Sequence, residues 1–108
     1  MKLALAFDPD SGRVHRDFES TKVLKIYTVE GDTVTESEMV GTMAESTEDI
    51  IGVAMMMEAD CILCGDILPE SRELLDNEGI VFYSGFYGNA DDAVSDFVNG
   101  YVVFGPDE

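Results

Sequence analysis

The sequence predicts one α/β domain whose mixed sheet carries helices on both faces. Strand-like segments rich in branched and aromatic residues fill the first 40 positions, and helix-like segments alternate with short strand-like ones after residue 45. That alternation requires right-handed crossover connections, which place helices on either side of a sheet. With 108 residues, 45% of them hydrophobic, the chain has enough apolar surface for one core, and we expect residues 1–108 to form a single domain.

The first third of the chain predicts a β-meander. The apolar segment KLALAF at 2–7 is expected to be a strand, and DPDSG at 8–12 favours a turn, so that a hairpin-like return follows. The alternating segment KVLKIYTV predicts a second strand at 22–29, and the turn EGD leads to a third at 33–40. We expect the third strand to form a sheet edge, where a second copy could pair, so the chain is a monomer or a homodimer.

The rest of the chain predicts three helices and two short buried strands. Capping residues mark the helix ends, because Ser46 and Asn89 suit N-cap positions, Pro69 suits a first turn, and Gly79 and Gly100 suit C-terminal stops. The predicted elements, in order, are a helix at 47–58, a strand within 59–65, a helix at 69–78, a strand at 80–83, a helix at 89–99 and an apolar tail at 101–104 that adds a short strand or covers the core.

The formal net charge of −17 is the strongest compositional signal, and it is unevenly distributed. Residues 1–27 hold five of the six Lys and Arg residues and four acids, whereas the remainder holds one Arg and 19 acids. Such a surface repels nucleic acid and anionic membranes, so neither is an expected partner. No stretch reaches the roughly 20 apolar residues of a membrane-spanning helix, and no export signal is evident, which predicts a cytoplasmic protein.

Cys61 and Cys64 have the CxxC spacing of many zinc and thiol-redox sites, but they lie in the apolar segment ADCILCG. In a strand, residues three apart point to opposite faces and lie about 10 Å apart along the chain, so they cannot easily share a metal or a disulfide. Cys61 is therefore expected to be a small buried residue. Cys64, at the carboxyl end of a central strand, has two open interpretations, a buried residue or a soft metal ligand.

Residues 59–100 resemble the second half of the dinitrogenase iron–molybdenum cofactor biosynthesis family. That family has an apolar strand ending in Cys-Gly or Gly-Gly, then a Pro, a helix with paired Leu or Ala-Leu, the sequence Glu-Ala-Gly-Ile, a strand, and a last helix ending in Asn-Gly. The corresponding residues are Cys64-Gly65, Pro69, Arg72, Leu74-Leu75, Gly79-Ile80, Ala93 and Asn99-Gly100. The first half fits more loosely, through KLALAF and KVLKIYTVEG. The resemblance implies a three-layer ribonuclease-H-like domain with a five-stranded mixed sheet in the order 3-2-1-4-5.

The resemblance also implies a function, that of a non-catalytic protein which binds or carries a metal or metallocluster. The implied cofactor is of the iron–sulfur or iron–molybdenum type, as in nitrogen fixation. The expected cofactor-binding residues are His15, Cys64, Gly65 and Asp66, with His15 and Cys64 as the metal ligands. Strands 1 and 4 are neighbours in the implied order, so the loops that follow them could border one binding site, which Asp8 could also line.

Two departures from the family pattern bear on this function. The family often has a contiguous His-Phe-Gly, whereas residues 15–20 read HRDFES. The family also favours a Gly-rich turn where this chain has Asp66. Because glycine lets backbone amides approach an anion, a carboxylate at this position opposes an anionic cluster. We therefore expect weak cluster binding, and attraction of bare Fe²⁺ by the same negative charge.

Two other classes of function stay open. A cofactor-free interaction or regulatory domain is the main alternative, and Met55 and Met56, which flank the apolar stripe of the first predicted helix, would offer a protein partner an adaptable surface. Asp8, Asp10 and Asp66 could instead hold Mg²⁺, as carboxylates do in ribonuclease-H enzymes, but a nuclease also needs a positive track for its substrate. The sequence has no Ser-His-Asp order, phosphate loop or dinucleotide motif, and we expect no enzymatic activity.

Overall fold

The fold is built around an apolar strand that is buried on both faces. The computed structural model of the chain describes residues 1–100. In β1 (Lys2–Asp8), residues 3–6 have no exposed surface and Phe7 is 6% exposed. An uninterrupted apolar run of this kind is typical of a central strand that is covered by other elements on both sides.

β1 lies in the middle of a mixed sheet. The other strands are β2 (Arg13–Val14), β3 (Val23–Glu30), β4 (Thr33–Gly41), β5 (Cys61–Leu63) and β6 (Val81–Tyr83). Their order across the sheet is β4-β3-β1-β5-β6, and β2 pairs with β1 outside this path. β1 is antiparallel to β2 and β3 and parallel to β5, which in turn is parallel to β6.

The sheet corrects the predicted number of strands and their predicted order. Within residues 1–100 the sheet has six strands where the sequence predicts five, because the return after the turn DPDSG pairs with β1 as the two-residue strand β2. Since β2 comes second in the chain, every later strand takes a higher number. The sheet order is therefore β4-β3-β1-β5-β6 and not the predicted 3-2-1-4-5. The five longer strands have the neighbours that the sequence predicts for them, so the correction does not change the α/β class.

In the described part of the chain, three α-helices cover the sheet. They are α1 (Thr47–Met56), α2 (Pro69–Asn77) and α3 (Ala90–Asn99), at the predicted places in the chain. α1 and α2 pack on the face that carries Ala4 and Ala6, whereas α3 packs on the face that carries Leu3 and Leu5. Alternate residues of β1 thus serve two separate cores, and the predicted placement of helices on both faces is confirmed.

The two cysteines lie on opposite faces of the sheet, as the strand prediction requires. Cys61 packs in the core beneath α3, and Cys64 packs in the core beneath α1 and α2. Both are free thiols. Burial raises the pKa of Cys61 to about 12, so this side chain is a neutral thiol at physiological pH.

α3 is fixed to β3 through its first turn. Asp91 accepts a hydrogen bond from the buried Tyr27 hydroxyl at 2.7 Å and forms an ion pair with Lys25 at 3.0 Å. The hydrogen bond from Tyr27 and the contact with Lys25 hold the pKa of the Asp91 carboxyl below its usual range.

The apolar tail at 101–104, predicted to add a strand or cover the core, lies outside the described residues. No helix within residues 1–100 combines the length and apolar character needed to cross a membrane.

The ends of α1 and α2 share a hydrogen-bond pattern but differ in one residue. After α1 the amide of Ala59 donates to the carbonyl of Ala54 at 3.1 Å, and after α2 the amide of Ile80 makes the equivalent bond at 2.9 Å. Both ends are Schellman motifs, in which the left-handed residue is usually glycine. Gly79 fills this position after α2 with φ of 72°, whereas Glu58 adopts φ of 60° after α1.

Replacing Glu58 with glycine should raise the free energy of unfolding by about 1 kcal/mol, because the Cβ atom disfavours the left-handed conformation. Gly79→Ala, the matched change after α2, should lower the free energy of unfolding by a similar amount. Urea denaturation followed by circular dichroism measures both. A loss of stability in Glu58→Gly would show that the Glu58 side chain makes an interaction stronger than the backbone strain.

Candidate functional site

A cleft of about 560 Å³ lies beside the carboxyl end of β1. Its wall is formed by the turn after β1, the β2 segment and the loop before α3, and it comprises Asp8, Ser11, Arg13, Val14, His15, Arg16, Tyr87 and Gly88. The cleft contains the only histidine of the chain and two of its three arginines. In α/β proteins the carboxyl ends of the central strands are the usual place for a ligand.

His15 and Arg16, which line the cleft, begin a segment that we call the crossing loop (residues 15–20), and its backbone contacts the segment that follows β5. At its start the amide of His15 donates to a carbonyl of β1 at 2.8 Å. The amide of Asp66, just after β5, then donates to the carbonyl of Arg16 at 2.7 Å, and the amide of Phe18 donates to the carbonyl of Asp66 at 3.0 Å. These reciprocal bonds hold the crossing loop against the turn at Asp66.

Two side chains anchor the crossing loop from beneath. Phe18 has no exposed surface and packs in the core shared with α1 and α2. The carboxylate of Glu19 accepts hydrogen bonds from the amide of Leu68 at 2.9 Å and from the hydroxyl of Ser71 at 2.5 Å, at the start of α2. A carboxylate in this position satisfies free donors of the helix terminus and complements the helix dipole. The loop is therefore fixed both to the core and to α2.

Gly65 allows the backbone segments around the site to approach each other. A Cβ atom at this position would lie 2.8 Å from the carbonyl oxygen of Arg16 and 3.2 Å from that of Phe86. Because both oxygens belong to the backbone, neither can swing aside as a flexible side chain would. The structure thus gives Gly65 a packing role between the crossing loop and the loop before α3. Its contact with a cofactor stays a prediction.

Asp66 interacts with two side chains of the cleft wall. One carboxylate oxygen accepts a hydrogen bond from Arg16 Nε at 3.2 Å, and the other accepts one from the Tyr87 hydroxyl. The hydrogen bond from Tyr87, together with the contact with Arg16, holds the pKa of the Asp66 carboxyl below its usual range, and the same bond raises the pKa of Tyr87. Asp66 is therefore ionised at neutral pH, and its amide is already bonded to the crossing loop.

His15 and Asp8 have local partners on the cleft wall. His15 Nε2 lies 2.8 Å from Ser20 Oγ, so the imidazole is oriented by the far end of the crossing loop. Asp8 accepts hydrogen bonds from the Ser11 hydroxyl at 2.9 Å and from the Asp10 amide at 3.0 Å, and these bonds hold its pKa below the usual range. Both oxygens of Asp8 therefore take part in the turn that the sequence predicts after β1.

Cys64 does not belong to the cleft wall. The side chain has no exposed surface, and its Sγ lies 3.7 Å from the carbonyl oxygen of Tyr83. Burial raises the pKa of the Cys64 thiol to about 12. Since the thiolate is the form that binds metals, Cys64 would need a different conformation to act as a ligand in the cleft.

The structure thus brings together some of the predicted site residues. His15 lines the cleft and Asp66 adjoins it through Arg16, whereas the side chain of Cys64 lies in the core. Within residues 1–100, no three His, Cys, Asp or Glu side chains converge in a way that could hold a metal ion. Sequence reasoning missed the role of Tyr87, for which the position between two glycines in an apolar loop was the available signal.

The fold and the cleft define an α/β domain with a polar site at the carboxyl end of its central strand. Residues 1–100 match the family described as dinitrogenase iron–molybdenum cofactor, and the chain belongs to this family. The family predicted from the sequence is therefore confirmed. A search of curated proteins found no match.

Several solved structures share the fold over nearly the whole chain. The crystal structure of PH0822 has a TM-score of 0.86 and 23% sequence identity, and the alignment covers 99% of this chain and 95% of that one. The crystal structure of MJ0327 from Methanocaldococcus jannaschii has a TM-score of 0.75 and 21% identity, with coverage of 96% and 93%. The apo form of the orange protein from Desulfovibrio gigas has a TM-score of 0.72 and 23% identity, with coverage of 99% and 96%. At such identities these likenesses show a common fold alone.

Proposed function

We propose that this protein is a non-catalytic, carrier-like protein that binds an anionic metallocluster of the iron–sulfur or iron–molybdenum type in the cleft. Membership of the dinitrogenase iron–molybdenum cofactor family supports this kind of ligand. The structural observation that carries the proposal is that Arg13, His15 and Arg16 all line the same cleft. A cluster in this cleft would be cargo that the protein holds and hands on.

The charge distribution favours the cleft as the place where an anion binds. Residues 1–27, which supply most of the cleft wall, carry a net charge of +1, whereas the remaining residues carry −18. A guanidinium group offers several N–H donors in a fixed plane and is always charged, so two of them lining one cleft can bind a compact anion. Elsewhere the acidic surface would repel the same ligand.

The donor set fits an anion held by charge and hydrogen bonds better than a cluster held by several protein ligands. His15 is the only imidazole in the chain, and the thiol of Cys64 is buried and neutral. No convergent group of metal-ligating side chains occurs within residues 1–100. A cluster that already contains its metal and sulfide would therefore be bound mainly through the charge and hydrogen bonds of Arg13 and Arg16, with His15 as the candidate protein ligand.

Asp66 opposes such a ligand for two reasons. Its carboxylate repels an anion, and it already occupies Arg16 Nε and the Tyr87 hydroxyl. Binding therefore requires that Arg16 exchange Asp66 for the ligand, or that both share the guanidinium. This competition supports the expectation of weak binding, and it makes Asp66 the most informative position to change.

Titration with tetrathiomolybdate, a compact anion of molybdenum and sulfur with strong visible absorption, tests the proposal. Asp66→Asn should tighten binding about fivefold and Arg16→Gln should weaken it about fivefold, because one unit charge a few ångströms away contributes roughly 1 kcal/mol even in water. His15→Ala should also weaken binding. Anaerobic spectrophotometric titration measures all three dissociation constants.

Lys22→Gln is the matched control for Arg16→Gln, since it removes one positive charge from an exposed residue that does not line the cleft. It should change the affinity by less than about twofold because salt screens distant charges. Fe²⁺ as a second probe should give the opposite sign at Asp66, with Asp66→Asn weakening binding. If tetrathiomolybdate binds all variants equally or does not bind, the cleft is not a cluster site and the cofactor-free alternative replaces it.

We infer the remaining properties from the sequence and the family resemblance. The protein has no enzymatic activity, works in the cytoplasm as one domain, and has neither nucleic acid nor a membrane as a partner, for which its net charge of −17 is the main support. The resemblance also supports a ribonuclease-H-like classification of the α/β fold. A ribonuclease activity that depends on Asp8 or Asp66 would contradict the non-catalytic assignment.

A further inference from the structure

The outer face of α1 exposes two large apolar side chains. Met55 is 48% exposed and Met56 is 77% exposed, whereas Ile50, Ile51 and Ala54 of the same helix are buried. At about 100° per residue, Gly52 lies between the two methionines on this face. The three residues form a strip, the Met-Gly strip, in which two flexible apolar side chains flank a position with no side chain at all.

Nothing in the fold of the described residues requires glycine at position 52. A Cβ atom built there has no atom within 4 Å beyond the helix itself, and the backbone conformation is ordinary for an L-residue. Glycine in a helix interior is less favourable than alanine, so its presence on an exposed face weakens α1 without a packing reason. What glycine does allow is the close approach of another chain.

The surroundings of the Met-Gly strip are acidic. Residues 45–60 contain five acids and no Lys or Arg, and two of the acids, Glu48 and Asp49, stand in the first turn of α1. Thioether side chains adapt their shape to an apolar partner, and surrounding carboxylates attract Lys and Arg. A basic amphipathic helix satisfies both requirements, because it carries an apolar stripe bordered by positive charges.

We propose that the Met-Gly strip of α1 docks a basic amphipathic helical segment of a partner protein. A second copy of this chain is a poor occupant, because two molecules of net charge −17 repel each other. The strip is also independent of the cluster proposal, since none of its residues lines the cleft. Failure of one proposal would therefore leave the other standing.

A fluorescein-labelled amphipathic peptide made of Leu and Lys at helical spacing is the probe, with binding to the full chain followed by fluorescence anisotropy. Met55→Gln combined with Met56→Gln should weaken binding about tenfold or more, because the apolar contact is lost while the charge is unchanged. The matched control combines Met39→Gln with Met43→Gln, at methionines that are 61% and 92% exposed but lie outside α1. That pair should change the affinity by less than about twofold.

Gly52→Gln separates docking from folding. The added side chain should raise the melting temperature by a few degrees, since it favours the helix, and should weaken peptide binding about tenfold, since it fills the space between the methionines. Two results would overturn the proposal. One is that the two double methionine variants bind the peptide with equal affinity, which would mean that overall charge alone attracts the peptide. The other is that Gly52→Gln binds the peptide as tightly as the unchanged protein does.

Discussion

Replacing Phe18 with alanine is expected to lower the free energy of unfolding by about 3–5 kcal/mol, the cost usual for removing a fully buried aromatic side chain. Phe18 has no exposed surface, and it packs in the core with residues such as Leu24 and Ile50. It is also the side chain that fastens the crossing loop to that core. Its loss therefore leaves a cavity and releases the loop that carries His15 and Arg16.

The second consequence separates Phe18 from other core residues. Phe82 is 1% exposed and belongs to the same core, but it lies on β6 and not in the crossing loop. Phe82→Ala should cost a similar stability, measured by urea denaturation, while the folded fraction keeps its affinity for tetrathiomolybdate. Phe18→Ala should lose that affinity as well. If Phe18→Ala does not fold, Phe18→Leu retains part of the packing and gives the same comparison; equal ligand binding in all variants would show that Phe18 has no role in positioning the cleft.

The main helices and strands were predictable because each is encoded by a local pattern. The apolar run of β1, the alternation of β3 and the N-caps at Ser46 and Asn89 all lie within a few neighbouring residues. β2 has no such pattern. Its two residues are a strand only because Val14 faces Phe7 across the turn, and this pairing depends on where the chain returns in space.

The site was predictable only in part, because its contacts join distant segments of the chain. Arg16 and Asp66 are 50 residues apart, and Asp66 and Tyr87 are 21 residues apart, so no spacing in the sequence indicates that they meet. The prediction that Cys64 lies at the carboxyl end of a central strand is confirmed, but the sequence left open whether its thiol can reach the cleft. The side chain continues the alternation of β5 and therefore points into the core beneath α1 and α2.

Replacing Gly65 with alanine is expected to lower the free energy of unfolding by about 1–3 kcal/mol, the range for overpacking a well-packed site. Since the φ angle of Gly65 lies outside the left-handed region, alanine fits the backbone conformation and the penalty comes from contact alone. The added Cβ would lie 2.8 Å from the carbonyl oxygen of Arg16. The crossing loop must then move away from the turn at Asp66, which strains the bond between the Asp66 amide and that same carbonyl.

Gly41→Ala is the matched control for Gly65→Ala, because a Cβ atom at position 41 meets no atom within 4 Å. It should change the free energy of unfolding by less than about 0.5 kcal/mol. Because Gly65 and Phe18 hold the same crossing loop, the double variant Phe18→Ala/Gly65→Ala should lose less stability than the two single losses added together, by about 0.5 kcal/mol or more. Strict additivity would mean that the close approach at Gly65 and the anchoring of Phe18 act on separate parts of the structure, and that the loop is not held as one unit.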